Sequence, residues 1–252
     1  MRNLYGHHFQ LKPGTRVYVP TNNGRARGGE IKRDVEMRWA APKNFFHLRD
    51  GGHVAAVRMH HNAPWVASLD LLRFFDQISR SKIFRSVKRL GFTQSEAWEI
   101  ACDSTVDKVP PARSFSVPFG FVQSPLIASL VLAHSALGRC IERLRREGVA
   151  VTVYMDDITV SGDSEAMVGT AIAQLTDAAD LAGFAFNPEK TQPASAVVTS
   201  FNIEFGSGAM AIIPERMDKL EEAFLEGNEY QQHGIYGYVA SVNQGQLTKL
   251  VP

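Results

Sequence analysis

Two apolar segments of the chain end on acidic side chains. Residues 66–70 form a short apolar run that predicts a β-strand ending on Asp70. Further along, the β-branched runs 149–153 and 158–160 flank Tyr154-Met155-Asp156-Asp157, which predicts a β-hairpin with two acids at its tip. Both patterns therefore put carboxylates at the points where strands leave the core.

Apolar residues at helical spacing predict four helical segments. They cover residues 81–105 with a break at 91–93, residues 124–147 as one long helix ended by Gly148, residues 164–182 stopped by Gly183, and the acidic residues 215–226. Thr93 and Glu96 have the spacing of a capping box. These helices would alternate with the strands along the chain.

Glycine-containing turns predict further strands. Residues 45–59 are interpreted as a hairpin around Asp50-Gly51-Gly52, residues 184–186 as a short strand, and residues 197–213 as a hairpin around Gly206-Ser207-Gly208. Residues 15–42 are polar and basic with a turn signal at 21–24, and the last 26 residues are weakly patterned. Interspersed helices and antiparallel hairpins favour an α+β fold.

The composition excludes several classes of protein. The 252 residues are 44% apolar and 21% charged, which is enough apolar material for a large core. No stretch approaches the roughly 18 apolar residues of a membrane span, and the N-terminus lacks the apolar run of a secretion signal. Two cysteines give neither a disulfide framework nor a four-thiolate zinc site. We therefore expect a cytoplasmic protein with no membrane partner.

Charge is distributed unevenly although the net charge is only +1. Residues 1–69 carry +7, residues 70–153 carry +4 and residues 154–252 carry −10. The basic residues form three clusters, namely Arg25, Arg27, Lys32, Arg33 and Arg38; Arg80, Lys82, Arg85, Lys88 and Arg89; and Arg139, Arg143, Arg145 and Arg146. Each cluster alone is also typical of a solvated helix face, but the asymmetry indicates a polyanion partner.

The acids are candidates for metal chemistry. If the strand that ends on Asp70 lies beside the hairpin, its carboxylate meets those of Asp156 and Asp157. Hard oxygen ligands suit Mg²⁺, and two such ions about 4 Å apart can bridge the acids and a triphosphate. A pair of aspartates taken alone is equally typical of an exposed turn.

Several motifs carry a resemblance to the reverse transcriptase family. Val-Tyr-Met-Asp-Asp-Ile at 153–158 resembles that family's Tyr-x-Asp-Asp signature, and Asp70 with Phe74-Phe75-Asp76-Gln77-Ile78 resembles its first palm motif. Four more segments are similar to family motifs in the same order: residues 116–125 to Pro-Gln-Gly…Ser-Pro, 183–191 to Gly…Asn-x-x-Lys-Thr, 198–203 to the primer-grip hairpin, and 234–242 to a retron-type thumb. Retron and phage-defence reverse transcriptases of bacteria are the most similar in character.

The resemblance implies a right-hand polymerase fold, in which helices back an antiparallel palm sheet. Residues 1–65 and 81–115 would form the fingers, residues 66–80 and 116–213 the palm, and residues 214–252 a short thumb. It also implies an RNA-directed DNA polymerase that uses deoxynucleoside triphosphates and two Mg²⁺ ions, with Mn²⁺ as an alternative. A primer 3′-hydroxyl would attack the α-phosphate, and the template or scaffold would be a non-coding RNA of an anti-phage defence system.

The same resemblance implies roles for individual residues. Asp70, Asp156, Asp157 and the carbonyl of Leu71 would bind the metals, and Lys190 would protonate pyrophosphate or pair with a phosphate. The nucleotide would meet Arg73, Phe74, Phe75, Phe119, Gly120 and either Arg49 or Arg58, with Lys32 and Arg33 as alternatives for the last role. Phe201 and Asn202 would form the primer grip.

Some residues have a second interpretation, and two alternative functions remain open. Phe75 is expected to exclude ribonucleotides while Phe74 is core, and His53, His60 and His61 are expected to pack rather than bind metal. Phe119 replaces the family's usual Gln, which makes synthesis without a nucleic-acid template, or from a protein primer, a second hypothesis. A third is an RNA-binding structural subunit with vestigial catalysis. The thin acidic thumb predicts that RNA, a partner protein or self-association completes the nucleic-acid clamp.

Overall fold

The structure is a computed structural model that describes residues 4–12, 14–107 and 114–250. Its strands are β1 (Tyr5–Lys12), β2 (Thr15–Pro20), β3 (Trp65–Asp70), β4 (Val106–Asp107), β5 (Phe115–Ser116), β6 (Ala150–Tyr154), β7 (Asp157–Gly162), β8 (Gln192–Ser195), β9 (Val198–Ser200), β10 (Ile203–Gly206) and β11 (Ala209–Ile212). Its α-helices are α1 (Asn22–Glu36), α2 (Gly52–Arg58), α3 (Arg80–Lys88), α4 (Gln94–Asp103), α5 (Ser124–His134), α6 (Ala136–Arg146), α7 (Glu165–Ala182), α8 (Pro214–Glu226) and α9 (Glu229–Val242). The mixture of helices and antiparallel sheets confirms the predicted α+β class.

A four-stranded sheet lies at the centre, and its strand order is β6-β7-β3-β8. Both predicted acid-bearing elements belong to it, since β3 pairs antiparallel with β7 over its full length. The buried residues of these strands are mostly β-branched or leucine, which suits a sheet covered on its faces. Helices α5, α6 and α7 contribute buried residues to the same core.

The predicted long helix at 124–147 is wrong in one respect, because the chain bends by 69° between α5 and α6. Ser135 has an extended backbone with ψ of 175°, and its hydroxyl accepts a hydrogen bond from Gly138 N to cap α6. Apolar spacing continues through the break, so periodicity alone could not locate it.

Within the described residues no single helix is long and apolar enough to cross a membrane, and only this bent pair satisfies length and composition together.

A second apolar cluster surrounds the sheet β11-β10-β9, with Phe205 and Met217 fully buried in it. The predicted hairpin around 206–208 and the predicted acidic helix are both present as β10–β11 and α8. The predicted strand 197–205 is interrupted at Phe201 and Asn202, whose φ angles are positive. Helix α9 was not predicted, because small and aromatic residues mask its amphipathic pattern.

The N-terminal hairpin β1–β2 and helix α1 were also not predicted. Thr21 caps α1 by accepting a hydrogen bond from Gly24 N, so the turn signal at 21–24 marks the start of a helix. Arg27 forms a 2.8 Å ion pair with Asp103, which joins α1 to α4. This attachment holds the N-terminal segment against the remainder of the chain.

One predicted hairpin and one predicted strand are wrong. Residues 45–59 contain a short 3₁₀ turn at Phe46–Leu48 and then α2, because Gly51 and Gly52 have φ angles of 87° and 53° that turn the chain into a helix. Residues 184–186 contribute only an isolated bridge between Phe186 and Leu71, and the outer strand of the sheet is β8. The capping box of Thr93 and Glu96 is present as predicted.

We predict opposite effects for two glycine-to-alanine substitutions in helices. A Cβ on Gly138 would lie 2.2 Å from the carbonyl oxygen of Leu132, so Gly138→Ala should lower the free energy of unfolding by about 2 kcal/mol or more. Gly169 in α7 has open space around it, so Gly169→Ala should raise the free energy of unfolding by about 0.5–1 kcal/mol. Urea denaturation of both variants measures this, and equal effects would contradict the close approach.

Candidate active site

Antiparallel pairing brings the three acidic residues to one edge of the central sheet. Asp70 is directly opposite Asp157 in the register of β3 and β7. The amide of Leu71 donates a 2.8 Å hydrogen bond to the carbonyl of Asp156, which extends the contact by one residue. The predicted adjacency of strand and hairpin is therefore present in the backbone.

Burial and mutual repulsion raise the proton affinity of these carboxylates. Desolvation first, and then the charges of Asp156 and Asp70, raise the pKa of Asp157 to about 7. Desolvation is also the main reason that the pKa of Asp156 is raised, with Asp70 adding to it. Such crowding of like charges is unfavourable unless a cation enters the site.

Lys190 supplies a cation from the segment after α7. Its Nζ lies 3.0 Å from Asp70 Oδ2, and the hydrogen bond to Asp70 is the main reason that its pKa is raised. Asn187 Nδ2 lies 3.4 Å from the other Asp70 oxygen. Asn187 and Lys190, which match the Asn-x-x-Lys part of the family motif, thus both contact Asp70.

The donor set suits a hard divalent cation, because it offers three carboxylates and the carbonyl of Leu71. In the described part of the chain, no group of three or more His, Cys, Asp or Glu side chains is yet arranged to hold a metal ion. Lys190 instead neutralises Asp70, while Asp156 and Asp157 remain crowded. The residues fit Mg²⁺ by chemistry, and the side chains would have to close around it.

His47 supports the turn that carries two of the acids, and the sequence did not reveal it. Its Nδ1 accepts a 2.9 Å hydrogen bond from the amide of Met155, whose φ of 59° makes the turn tight. Its Nε2 lies 2.6 Å from Ser129 Oγ, which donates to the carbonyl of Pro125. Burial lowers the pKa of His47 to about 4, so the neutral ring links the acidic turn to α5.

A cavity of about 580 Å³ lies between the N-terminal hairpin and the segment that directly follows Asp70 and Leu71. Thr15 and Arg16 line one side and Leu72 and Arg73 line another. Arg73 has a φ of 46°, and a Cβ on Gly14 would be 3.2 Å from its guanidinium group. The hairpin therefore faces, across this cavity, the segment that directly follows Asp70 and Leu71.

The segment that carries Phe119 and Gly120 is attached directly to this hairpin. Tyr18 N donates a 2.8 Å hydrogen bond to the carbonyl of Phe119, and a Cβ on Gly120 would lie 2.3 Å from the carbonyl of Tyr18. Only glycine permits this approach at the φ of 100° that Gly120 adopts. The motif's glycine therefore has a packing role in forming the cavity wall.

Three phenylalanines form a layer at the cavity. Phe74 is 3% exposed and its ring centroid lies 5.8 Å from that of Phe184, which confirms its predicted place in the core. Phe75 is also buried, and its ring lies 4.6 Å from that of Phe119. Phe119 is 39% exposed and lines the cavity, so it is the ring that an occupant would meet first.

The predicted primer-grip residues lie close to the acidic turn. The ring of Phe201 is 5.1 Å from that of Tyr154, which precedes the acids, and Asn202 O accepts from Ile213 N. Both Phe201 and Asn202 have left-handed backbones, which turn the β9–β10 connection toward Tyr154. The second apolar cluster is thereby joined to the site.

The structure does not bring Arg49 or Arg58 to the acids. Arg49 donates to the carbonyl of Lys43 and Arg58 donates to that of Ser241, and both line a different cavity near the other end of β6. Lys32 and Arg33 on α1 do not line the substrate cavity either. Arg49 and Arg58 lie away from the acids because the segment 45–59 is helical rather than a hairpin that reaches the site, and Lys32 and Arg33 lie on α1.

Two further cations near the site, besides Lys190 and Arg73, come from the unpredicted N-terminal hairpin. Arg16 lines the cavity, and the charge of Lys12 acts on Asp156, lowering its pKa against the larger effect of burial. The signal was Lys12-Pro13-Gly14-Thr15, a turn sequence between two alternating stretches.

The histidines pack, as expected. His60 is fully buried between Ser161 Oγ and Thr152 Oγ1, at 2.7 and 2.8 Å, and burial lowers its pKa to about 3. His53 packs among aromatic rings and His61 Nδ1 contacts the carbonyl of Arg58, so the three do not share a site.

The fold and the acidic edge together define a right-hand polymerase domain. The family model for reverse transcriptase (RNA-dependent DNA polymerase) matches residues 15–225, so the chain belongs to the reverse transcriptase family. No curated protein sequence matches the chain.

Similar solved structures include a foamy viral protease-reverse transcriptase in complex with double-stranded DNA. It is 13% identical over 91% of this chain and 34% of its own, with a TM-score of 0.52. Apo telomerase from Candida tropicalis is 10% identical over 77% of this chain and 40% of its own, with a TM-score of 0.47. The chain thus spans about a third of the length of the foamy viral protein.

We predict that Asp157→Asn stabilises the metal-free protein at high pH. The pKa of Asp157 in the folded protein, about 7, exceeds the ordinary value of 3.8, so its contribution to stability is present below pH 3.8 and is lost as pH rises through 7. The variant should therefore gain about 2 kcal/mol of unfolding free energy at pH 8 and little near pH 4. Urea denaturation in EDTA measures this, and a gain independent of pH would contradict it.

We also predict that His47 positions the acidic turn. His47→Ala should lower kcat for nucleotide incorporation by about 100-fold, because small displacements of reacting groups carry such costs. His47→Asn should recover part of the loss, since its Oδ1 can accept from Met155 N as Nδ1 does. Steady-state kinetics with KM for the nucleotide little changed would support this, whereas equal losses in both variants would indicate packing alone.

Proposed function

We propose that the chain is an RNA-directed DNA polymerase that extends a primer with deoxynucleoside triphosphates. The observation that carries this proposal is the cross-strand pairing of Asp70 with Asp157, with Asp156 adjacent, at the start of a segment whose Leu72 and Arg73 line a cavity with Arg16. Membership of the reverse transcriptase family supports the same reaction.

The chain's own groups have distinct tasks in this reaction. Asp70, Asp156, Asp157 and the carbonyl of Leu71 would hold two Mg²⁺ ions, or Mn²⁺ in their place, and thereby relieve the crowding that raises the carboxylate pKa values. When bound, the ions favour ionisation of the primer 3′-hydroxyl and offset charge on the pyrophosphate that leaves. Lys190, released from Asp70, would protonate the pyrophosphate or pair with a phosphate.

The nucleotide would occupy the cavity beneath the N-terminal hairpin. Arg16 and Arg73 would pair with the triphosphate, since both line the cavity, and Lys12, whose charge acts on Asp156, would assist them. Phe75 would pack against the ring of Phe119 and hold it where it excludes the ribose 2′-hydroxyl. Gly120 would form the wall beside the base, and Phe201 and Asn202 would hold the primer strand.

The partners that we propose are RNA, as template or scaffold, and the DNA product. The fingers would be residues 1–65 and 81–115, the palm residues 66–80 and 116–213, and the thumb residues 214–252. Because the last part of the chain is acidic, a structured RNA, a partner protein or a second copy would complete the grip on the duplex. The retron-like motifs support a role in bacterial anti-phage defence in the cytoplasm.

We predict that Asp156→Asn removes DNA synthesis. With Mg²⁺, a labelled primer and an RNA template, the variant should extend the primer about 100-fold more slowly or worse, because it loses a charged ligand at the reacting centre. Asp163→Asn, on an exposed loop after β7, is the matched control and should retain activity. Full synthesis by Asp156→Asn would contradict the proposal and favour a structural RNA-binding role.

A second candidate is synthesis without a nucleic-acid template or from a protein primer by the same site. The exposed ring of Phe119 favours it, because this position offers a stacking surface and no hydrogen bond.

We predict that Phe119→Gln increases the ratio of templated to untemplated incorporation. Sequencing the products made by RNA-free protein measures that ratio. If wild-type protein makes no product without added template, the second candidate falls.

A further inference from the structure

A second cavity, of about 780 Å³, lies between α6 and residues 39–45. It shares no lining residue with the first cavity, which Arg16 and Arg73 line. Cavities of roughly 300–1,000 Å³ are the usual size for small-molecule and cofactor sites. This one therefore has room for a nucleotide and is separate from the proposed polymerase site.

Its lining is strongly cationic. Five basic residues line it against a single carboxylate, Glu142, and they are Lys43, Arg139, Arg143, Arg145 and Arg146. Glu142 already contacts two of them, at 2.7 Å from Arg145 and 3.3 Å from Arg146. The helix dipole accounts for the cations in the last turn of α6, but not for Arg139 in its first turn or for Lys43.

Asn44 gives the cavity an unpaired polar group. It lines the cavity and is only 5% exposed, yet neither its Nδ2 nor its Oδ1 has a hydrogen-bond partner among the described residues. A buried amide without partners is costly and calls for an explanation, and a ligand held in the cavity supplies one. The carboxamide of asparagine matches the N6 donor and N7 acceptor of adenine in a bidentate pair.

The segment that carries Asn44 also contributes an aromatic residue. Trp39 is half-buried where α1 ends and lines the same cavity as Asn44. Proteins that bind single-stranded RNA usually stack its bases on aromatic side chains and contact its phosphates with basic side chains. The cavity thus combines an aromatic residue, an amide able to read a base edge, and guanidinium groups for phosphate.

The cations continue beyond the cavity on both sides. Arg139 also lines a neighbouring cavity with Arg85 and Arg89, and Arg145 also lines another with Arg49 and Arg58. A free nucleotide would need only the central cavity. A series of cations along one face matches the repeated phosphates of a strand.

We propose that a single-stranded segment of RNA follows this face and inserts one adenine base into the cavity of Asn44 and Trp39. Arg139, Arg145, Arg146 and Lys43 would pair with the phosphates around that base. This site goes beyond the polymerase reaction and does not depend on it, so it can be tested with the catalytic acids disabled.

The first test measures the cationic face. Fluorescence anisotropy of a labelled 12-nucleotide oligoadenylate, with the full chain in EDTA, gives the affinity and its dependence on salt. Arg139→Gln/Arg146→Gln should bind at least tenfold more weakly, with the slope of log K against log salt reduced by about 1.4 for two lost phosphate contacts. Lys219→Gln/Lys249→Gln, two exposed cations of the C-terminal region, removes equal charge and should bind as wild type. Equal losses in both pairs would overturn the site.

The second test separates recognition from folding. Asn44→Leu removes the unpaired amide at nearly constant volume, so Tm should be unchanged or higher. If the amide reads adenine, the same variant should lose about tenfold in affinity for oligoadenylate and its preference over oligouridylate. Unchanged affinity and preference would overturn base recognition. If AMP binds as tightly as the oligonucleotide, the proposal of a bound RNA strand is wrong and the ligand is a free nucleotide.

Discussion

The antiparallel register of β3 and β7 is the constraint on which the active site depends. It sets Asp70 opposite Asp157 at the ends of two strands whose other residues are buried. A slip of one residue would turn every side chain of β3 to the opposite face, which would remove Asp70 from its place opposite Asp157. The energy that maintains the fold therefore also maintains the position of the acids.

Placing three carboxylates close together is electrostatically unfavourable, and neighbouring groups stabilise the arrangement. Lys190 neutralises Asp70, and the neutral ring of His47 anchors the acidic turn through Met155 without adding charge. A protonated histidine could not accept that hydrogen bond, and burial keeps the ring neutral. The site is thus preorganised at the backbone, and a divalent cation would complete its charge balance.

Separate faces of the same core present different chemistry. The hairpin β1–β2 places Arg16 in the first cavity and brings the charge of Lys12 close enough to act on Asp156. Helix α6, which packs behind the sheet on α7, presents its arginines to a cavity with an unpaired amide. The basic front half of the sequence therefore divides into two surfaces, one suited to a triphosphate and the other to a strand of RNA.

The sequence alone determined the elements with strong local signals and the acids at their ends. The strand of Asp70, the hairpin of Asp156 and Asp157, and the motif order could all be predicted, because apolar runs and turn residues act locally. The tertiary structure decided which cations reach the site: it excluded Arg49 and Arg58 and introduced the N-terminal hairpin. Such contacts join residues distant in sequence, and no local pattern specifies them.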